Sequence, residues 1–310
     1  MLGETGLWLL FGAIVAAALA LDLGILHRKA HAVSLPEAAL WSVAWFALAM
    51  GFAGALALSS GRERALQFVT GYVLEESLSA DNMFVFLAIF QYFAVPAALQ
   101  ARVLHWGILG AIVMRFLFIF AGLALINACH WMIYPLGALL IYTGAKLAFP
   151  GRKEVRPQDN PALKALKLVM PLSPENHGQS FFVRLHGVLH ATPLLATLLV
   201  VEFSDLIFAM DSIPAIIAIT TDTFVVYSSN VFAILGLRAL FFLVANLMGM
   251  FRFMKAGISA ILVFVGLKML CGGFYRLPTG ASLCVIAGIL SASIAASLLA
   301  GKKTDCHPNG

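Results

Sequence analysis

Apolar positions fall in long unbroken runs rather than at alternate or every third position, and short polar breaks separate the runs. Nine runs stand out, at roughly 6–26, 38–59, 67–94, 103–126, 130–149, 187–219, 224–250, 256–274 and 281–300. A hydrocarbon layer about 30 Å thick needs about 20 apolar residues in helical form, so each run predicts a membrane-spanning helix. Backbone amides have no water to bond in lipid, which leaves helices or closed barrels as spanning structures. The runs predict an all-α, polytopic membrane protein with about nine transmembrane helices. A proline-rich, charged segment, 150–186, is the one long connection and predicts a cytosolic linker with a short amphipathic helix around Ala162–Val169.

Composition agrees. The chain is 61% hydrophobic and 11% charged, with a mean hydropathy of +0.94, whereas soluble domains carry about 25% charged residues. The first run has its positive residues, Arg28 and Lys29, after it rather than before it, which argues against a cleaved signal peptide. With nine spans and the N-terminus outside, 13 of the 20 Lys and Arg residues fall in inside segments and three (Arg62, Arg64, Arg276) fall outside. By the positive-inside rule this predicts an N-out, C-in protein. The net charge of +5 then matches an anionic leaflet, and no nucleic-acid partner is expected. Cys129, Cys271, Cys284 and Cys306 show no paired spacing, so a disulfide relay is not expected.

The linker separates two parts that resemble each other. Spans three to five carry Asp81, Arg115 and Lys146; spans six to eight carry Asp205, Arg238 and Lys268, at nearly equal intervals. IYTGAKLAF matches VFVGLKML, and MRFLFIFAG matches LRALFFLVAN. Spans three and six differ by an odd number of crossings, so the copies are inverted repeats of three helices. Repeat one covers 66–150 and repeat two 187–275, with peripheral helices in 1–60 and 281–300. Matching Glu75 to Glu202 instead shifts the register of the acidic motifs by three. In secondary transporters such repeats place substrate near the midplane, on interrupted helices.

The third and sixth spans carry the chemistry. VLEESLSADNMFVF places Glu75, Glu76 and Asp81 with Ser77, Ser79 and Asn82; VVEFSDLIFAMDSIPA places Glu202, Asp205 and Asp211 with Ser204 and Ser212. A charge at a helix centre costs about 2.5–3.5 kcal/mol on insertion scales, so five carboxylates and four cations (Arg115, Arg238, Lys146, Lys268) would cost on the order of 25 kcal/mol unpaired. Counting Asp22 and Glu76, acids outnumber bases seven to four; with those two set aside as interfacial, the ratio is five to four. Internal salt bridges that only hold helices together are one outcome. The surplus of carboxylate favours the other, a bound cation. Carboxylate, hydroxyl and amide ligands suit Mg²⁺, Ca²⁺ or Mn²⁺ better than Zn²⁺ or Cu⁺. Met83 and Met210 are read as packing residues.

At 100° per residue, Glu75, Ser79 and Asn82 share one helix face and Ser77 and Asp81 another. Either both faces meet protein, or the helices break near Asp81 and Pro214. The sixth run is long enough for two half-helices, and breaks are expected. The pairs His27/His31 and His186/His190 have i, i+4 spacing that can bind metal, but they read as interfacial anchors. No nucleophile–base pair, phosphate loop or zinc-protease spacing occurs, so no enzyme and no cofactor are expected.

The motifs EESLSADN and VEFSDLIFAMDSIPA resemble those of the tellurium-resistance TerC family of integral membrane proteins, and the likeness runs from about residue 6 to 300. That resemblance implies manganese efflux, or in some members tellurite resistance or a pH response. It places Glu75, Asp81, Glu202, Asp205 and Asp211 where the family's acids stand, with Asn82, Ser77, Ser79, Ser204 and Ser212 as polar companions. The resulting expectation is a divalent metal-ion exporter working by alternating access. Arg115, Arg238, Lys146 and Lys268 would neutralise the acids of the empty site, and protons taken up by carboxylates could drive the cycle. The alternatives are a membrane stress or assembly factor with structural charges, or an exporter of another small solute. The expected partners are the lipid bilayer and the ion, with room for a homo-oligomer or a membrane-protein partner.

Overall fold

The structure, a computed structural model, describes residues 3–25, 33–148, 159–173, 175, 177–246, 253–271 and 277–301. Helices α1 (Glu4–Ile25), α2 (Leu35–Ser60), α3 (Arg62–Tyr92), α4 (Ala97–Ala128) and α5 (Ile133–Ala148) precede the short α6 (Pro161–Val169). A two-stranded hairpin, β1 (Phe182–Leu185) and β2 (Val188–Ala191), follows. Helices α7 (Pro193–Ile217), α8 (Thr223–Asn246), α9 (Met254–Cys271) and α10 (Thr279–Gly301) complete the described chain. Each of the nine apolar runs thus holds one long helix, and the protein is a nearly all-α polytopic membrane protein. Seven of these helices are long and apolar enough to cross a membrane. The other two are α5, with 16 residues, and α3, whose apolar stretch carries Glu75, Glu76 and Asp81.

The linker helix lies where the amphipathic pattern put it. Asn160 caps it by accepting from the Ala162 amide at 2.9 Å, Pro161 opens it, and buried Leu163 and Leu166 dock it on α7. The hairpin was not expected. Its second strand lies inside the apolar run at 187–219, which explains that run's excess length.

The expected helix breaks are absent. Helix α3 is continuous through Asp81, and α7 is continuous through Pro214, which sits in its last turn and so removes only one ladder bond. The remaining option, protein on both faces of the helix, is the one realised. Helix α3 packs on α2, α7 and α8 at once, and α8 is buried along nearly its whole length.

Helices of the two halves pack on one another. Helix α3 meets α8 and α7 meets α4, two contacts that an inverted repeat exchanges, while α3–α7, α4–α8 and α5–α9 would each be self-related. The α5–α9 seam shows it at atomic level. A Cβ on Gly144 would stand 2.9 Å from the Ser259 carbonyl oxygen, and one on Gly266 would stand 2.8 Å from that of Gly137. Gly144/Gly266 and Gly137/Ser259 are corresponding positions, so the contact is reciprocal. Small residues let helix backbones approach closely where lipid supplies no hydrophobic drive, and Ser259 also donates to the Gly144 carbonyl at 2.6 Å.

Candidate functional site

Four helices converge on one guanidinium. Arg115 of α4 is fully buried, as are Glu75 of α3 and Asn230 of α8, and Asp205 of α7 is 4% exposed. Arg115 Nη1 donates to Glu75 Oε1 and, at 2.6 Å, to Asn230 Oδ1. Its Nη2 and Nε donate to the two oxygens of Asp205 at 3.2 and 3.5 Å, a fork-on-carboxylate geometry that suits arginine. Asn230 Nδ2 closes the ring by donating to Glu75 Oε2 at 3.2 Å. One cation thus meets two carboxylates. With both ionised the cluster keeps a negative charge, which buried surroundings make costly unless a proton or cation answers it.

The carboxylates come from the two halves of the chain, α3 and α7, and each stands six residues before a second acid, Asp81 or Asp211. This favours a register that matches Glu75 with Asp205 over the two weighed from sequence.

Glu202 lies one turn before Asp205 but outside the ring. Its carboxylate faces α4 at Gly107 and Gly110. With Asp205 it supplies the acid of a small, otherwise apolar pocket, lined also by Phe86, Leu104, Ile108 and Leu237. Asp81 points elsewhere, as helical spacing requires. Its Oδ1 is buried with no hydrogen-bond partner among the described residues, and a positive charge acting on it is that of Lys255. Asn82 is half-buried.

Two of the serines bond to their own helices: Ser77 Oγ donates to the Val73 carbonyl at 2.5 Å and Ser204 Oγ to that of Val200 at 2.7 Å. Ser79 is buried, and the Ser212 hydroxyl is buried without a partner among the described residues. The side chains of Asp211 and Asp22 lie outside the described residues, as does the whole of His27, His31 and Cys306. Glu76 is not interfacial. It packs between helices, its Oε1 3.2 Å from where a Cβ on Gly236 would be, with Tyr72 beside it.

The four cations separate. Arg115 holds the acids and Arg238 is buried on α8. Lys146 is exposed, its Nζ 5.7 Å from the Tyr142 ring centroid. Lys268 feels Glu63 at the Arg64 end of the bundle, where Arg64 meets Asp222 at 2.6 Å. Neither lysine belongs to the Arg115 ring. Among the described residues, no three His, Cys, Asp or Glu side chains form a group that could hold a metal ion. Cys129, Cys271 and Cys284 are unpaired thiols among the described residues.

Sequence reasoning passed over Asn230, Gly107 and Gly110. For Asn230 a signal existed, the polar triplet Ser228–Ser229–Asn230 inside an apolar run. For the glycines none did, because their role depends on which side chain faces them.

Residues 60–305 match the model of the integral membrane protein TerC family. The chain belongs to the TerC family. This TerC protein is 50% identical to the uncharacterized membrane protein STKORF319 of Myxococcus xanthus, over 96% of this chain and 93% of that one. It is 47% identical to a protein of Escherichia coli K12 named "putative membrane-bound redox modulator Alx", over 93% and 92% of the two chains. It is 38% identical to an uncharacterized membrane protein of Rickettsia felis, over 94% and 97%. No solved structure matches.

Proposed function

We propose that this TerC protein exports a divalent metal ion, with Mn²⁺ as the first candidate, from the cytosol across a bacterial inner membrane with its N-terminus outside. The observation that carries the reading is the shared guanidinium: one carboxylate from each repeat, both buried, held by Arg115 alone with Asn230 bridging. A site formed between inverted repeats is where rocking of one repeat on the other changes access. Arg115 keeps Glu75 and Asp205 from repelling each other while no ion is bound. An arriving divalent ion, with an oxygen preference that carboxylates meet, competes with the guanidinium for the same oxygens. Glu202, in the adjoining pocket, is the acid that no guanidinium occupies.

A second reading has an observation of its own. The Arg115 ring is satisfied by hydrogen bonds, as expected of charges that merely hold a bundle together. Glu202 separates the two, since a structural network has no use for an acid outside it. The test is Mn²⁺ uptake into inverted membrane vesicles by the intact protein, Asp81→Asn and Glu202→Gln. The transport reading expects uptake by the intact protein that falls at least about tenfold in Glu202→Gln, in line with the loss of a metal-site group. Uptake absent from the well-folded intact protein, or unchanged in Glu202→Gln, would overturn it.

A further inference from the structure

Gly107 and Gly110 lie on the same wall of α4, opposite Glu202, but they are not equivalent. A Cβ on Gly107 would stand 3.8 Å from Val201 and 3.9 Å from Glu202 Oε1, which is ordinary contact. A Cβ on Gly110 would stand 2.5 Å from both Cδ and Oε2 of Glu202, and nearer still to Oε1. The carboxylate therefore occupies the space that any side chain at 110 would fill. Asp205, one turn along α7, is pinned by Arg115. Glu202 makes no ion pair among the described residues, and the pocket wall around it is apolar apart from Asp205. Its placement rests on the shape of α4.

We propose that Gly110 is the positioning residue for Glu202. It seats the carboxylate in the pocket beside the Arg115 ring, where Glu202 takes up an incoming hard divalent cation through its oxygens. The cation depends on the transport reading; the contact between Gly110 and Glu202 depends on packing alone. A methyl group at 110 pushes the carboxylate away from the pocket, and displaced supporting groups at metal sites lower affinity roughly 10–100-fold. A methyl group at 107 does not. Shortening the acid by one methylene returns the space that an alanine at 110 removes.

The experiment measures Mn²⁺ uptake against Mn²⁺ concentration in proteoliposomes, together with the melting temperature of each protein. The proteins are the full chain, Gly107→Ala, Gly110→Ala and the double variant Gly110→Ala/Glu202→Asp. The expected result is a KM raised roughly 10–100-fold in Gly110→Ala, little changed in Gly107→Ala, and lowered again in the double variant. A KM unmoved in Gly110→Ala, with only the maximal rate or the folded yield reduced, would overturn the proposal. If the full chain moves no Mn²⁺, the transport reading falls and the melting temperatures decide the contact. A drop in Gly110→Ala that Glu202→Asp reverses upholds the positioning role, and an equal drop in either background overturns it.

Discussion

The Arg115 ring and the α5–α9 seam both join the two halves of the chain, yet they treat their matching residues in opposite ways. At the seam the two copies make the same contact twice, Gly144 on Ser259 and Gly266 on Gly137. At the ring a single arginine from copy one serves an acid from each copy, while its counterpart Arg238 lies on α8 outside the ring's hydrogen bonds. Symmetry is kept where close packing depends on backbone shape and is broken where charge must be balanced. Two arginines beside Glu75 and Asp205 would neutralise them; one leaves a surplus that a cation can answer.

The largest expected effect breaks the ring. Arg115→Ala leaves Glu75 and Asp205 buried without a countercharge, and loss of one partner from a buried ion pair typically costs about 3–5 kcal/mol. Thermal unfolding in detergent should show a large drop, partly recovered by adding Asp205→Asn. An Arg115→Ala protein as stable as the native one would show that the acids are not ionised there.

The seam ranks second. Gly266→Val puts a branched side chain against the Gly137 carbonyl and Ile141, and overpacking of this kind costs about 1–3 kcal/mol. Gly144→Val should match it within error, because the contact is reciprocal. A clear inequality between the two would mean that the copies do not share the seam evenly. Smallest is the effect of the lysines. Lys146→Ala removes an exposed ammonium over Tyr142 and should change stability by no more than about 0.5 kcal/mol. Mn²⁺ uptake should be unaffected, and a loss of transport would return Lys146 to the site.

The lysines also show what the sequence pattern could and could not reveal. Lys146 and Lys268 each follow a Gly-x step, and that shared motif exposed the repeat. The glycine is the part whose contact both copies preserve; the lysines sit in unlike surroundings. Spans were legible because lipid demands long apolar helices, and α6 was legible from its amphipathic pattern. The hairpin was not, since four-residue strands merge with a neighbouring apolar run. The continuity of α3 and α7 was hidden as well. Angular spacing showed that the acids face different ways, but only the packing of α2, α7 and α8 around α3 shows that protein covers those faces. Glu75, Asp205 and Arg115 were all singled out by their cost in lipid, whereas their shared ring needed Asn230, an uncharged residue that such a search passes over. Gly110 is visible only once Glu202 stands opposite it.

The account turns on Glu75 and Asp205 being the oxygens for which an ion and Arg115 compete. The most direct measurement is equilibrium binding of Mn²⁺ to the purified full-length protein, read by the loss of the free-ion electron paramagnetic resonance signal. It should be made on the native chain, Glu75→Gln and Asp205→Asn. The account predicts saturable binding by the native chain that weakens roughly 10–100-fold in each variant. Binding that is undiminished in both variants, or absent from the folded native chain, would contradict it.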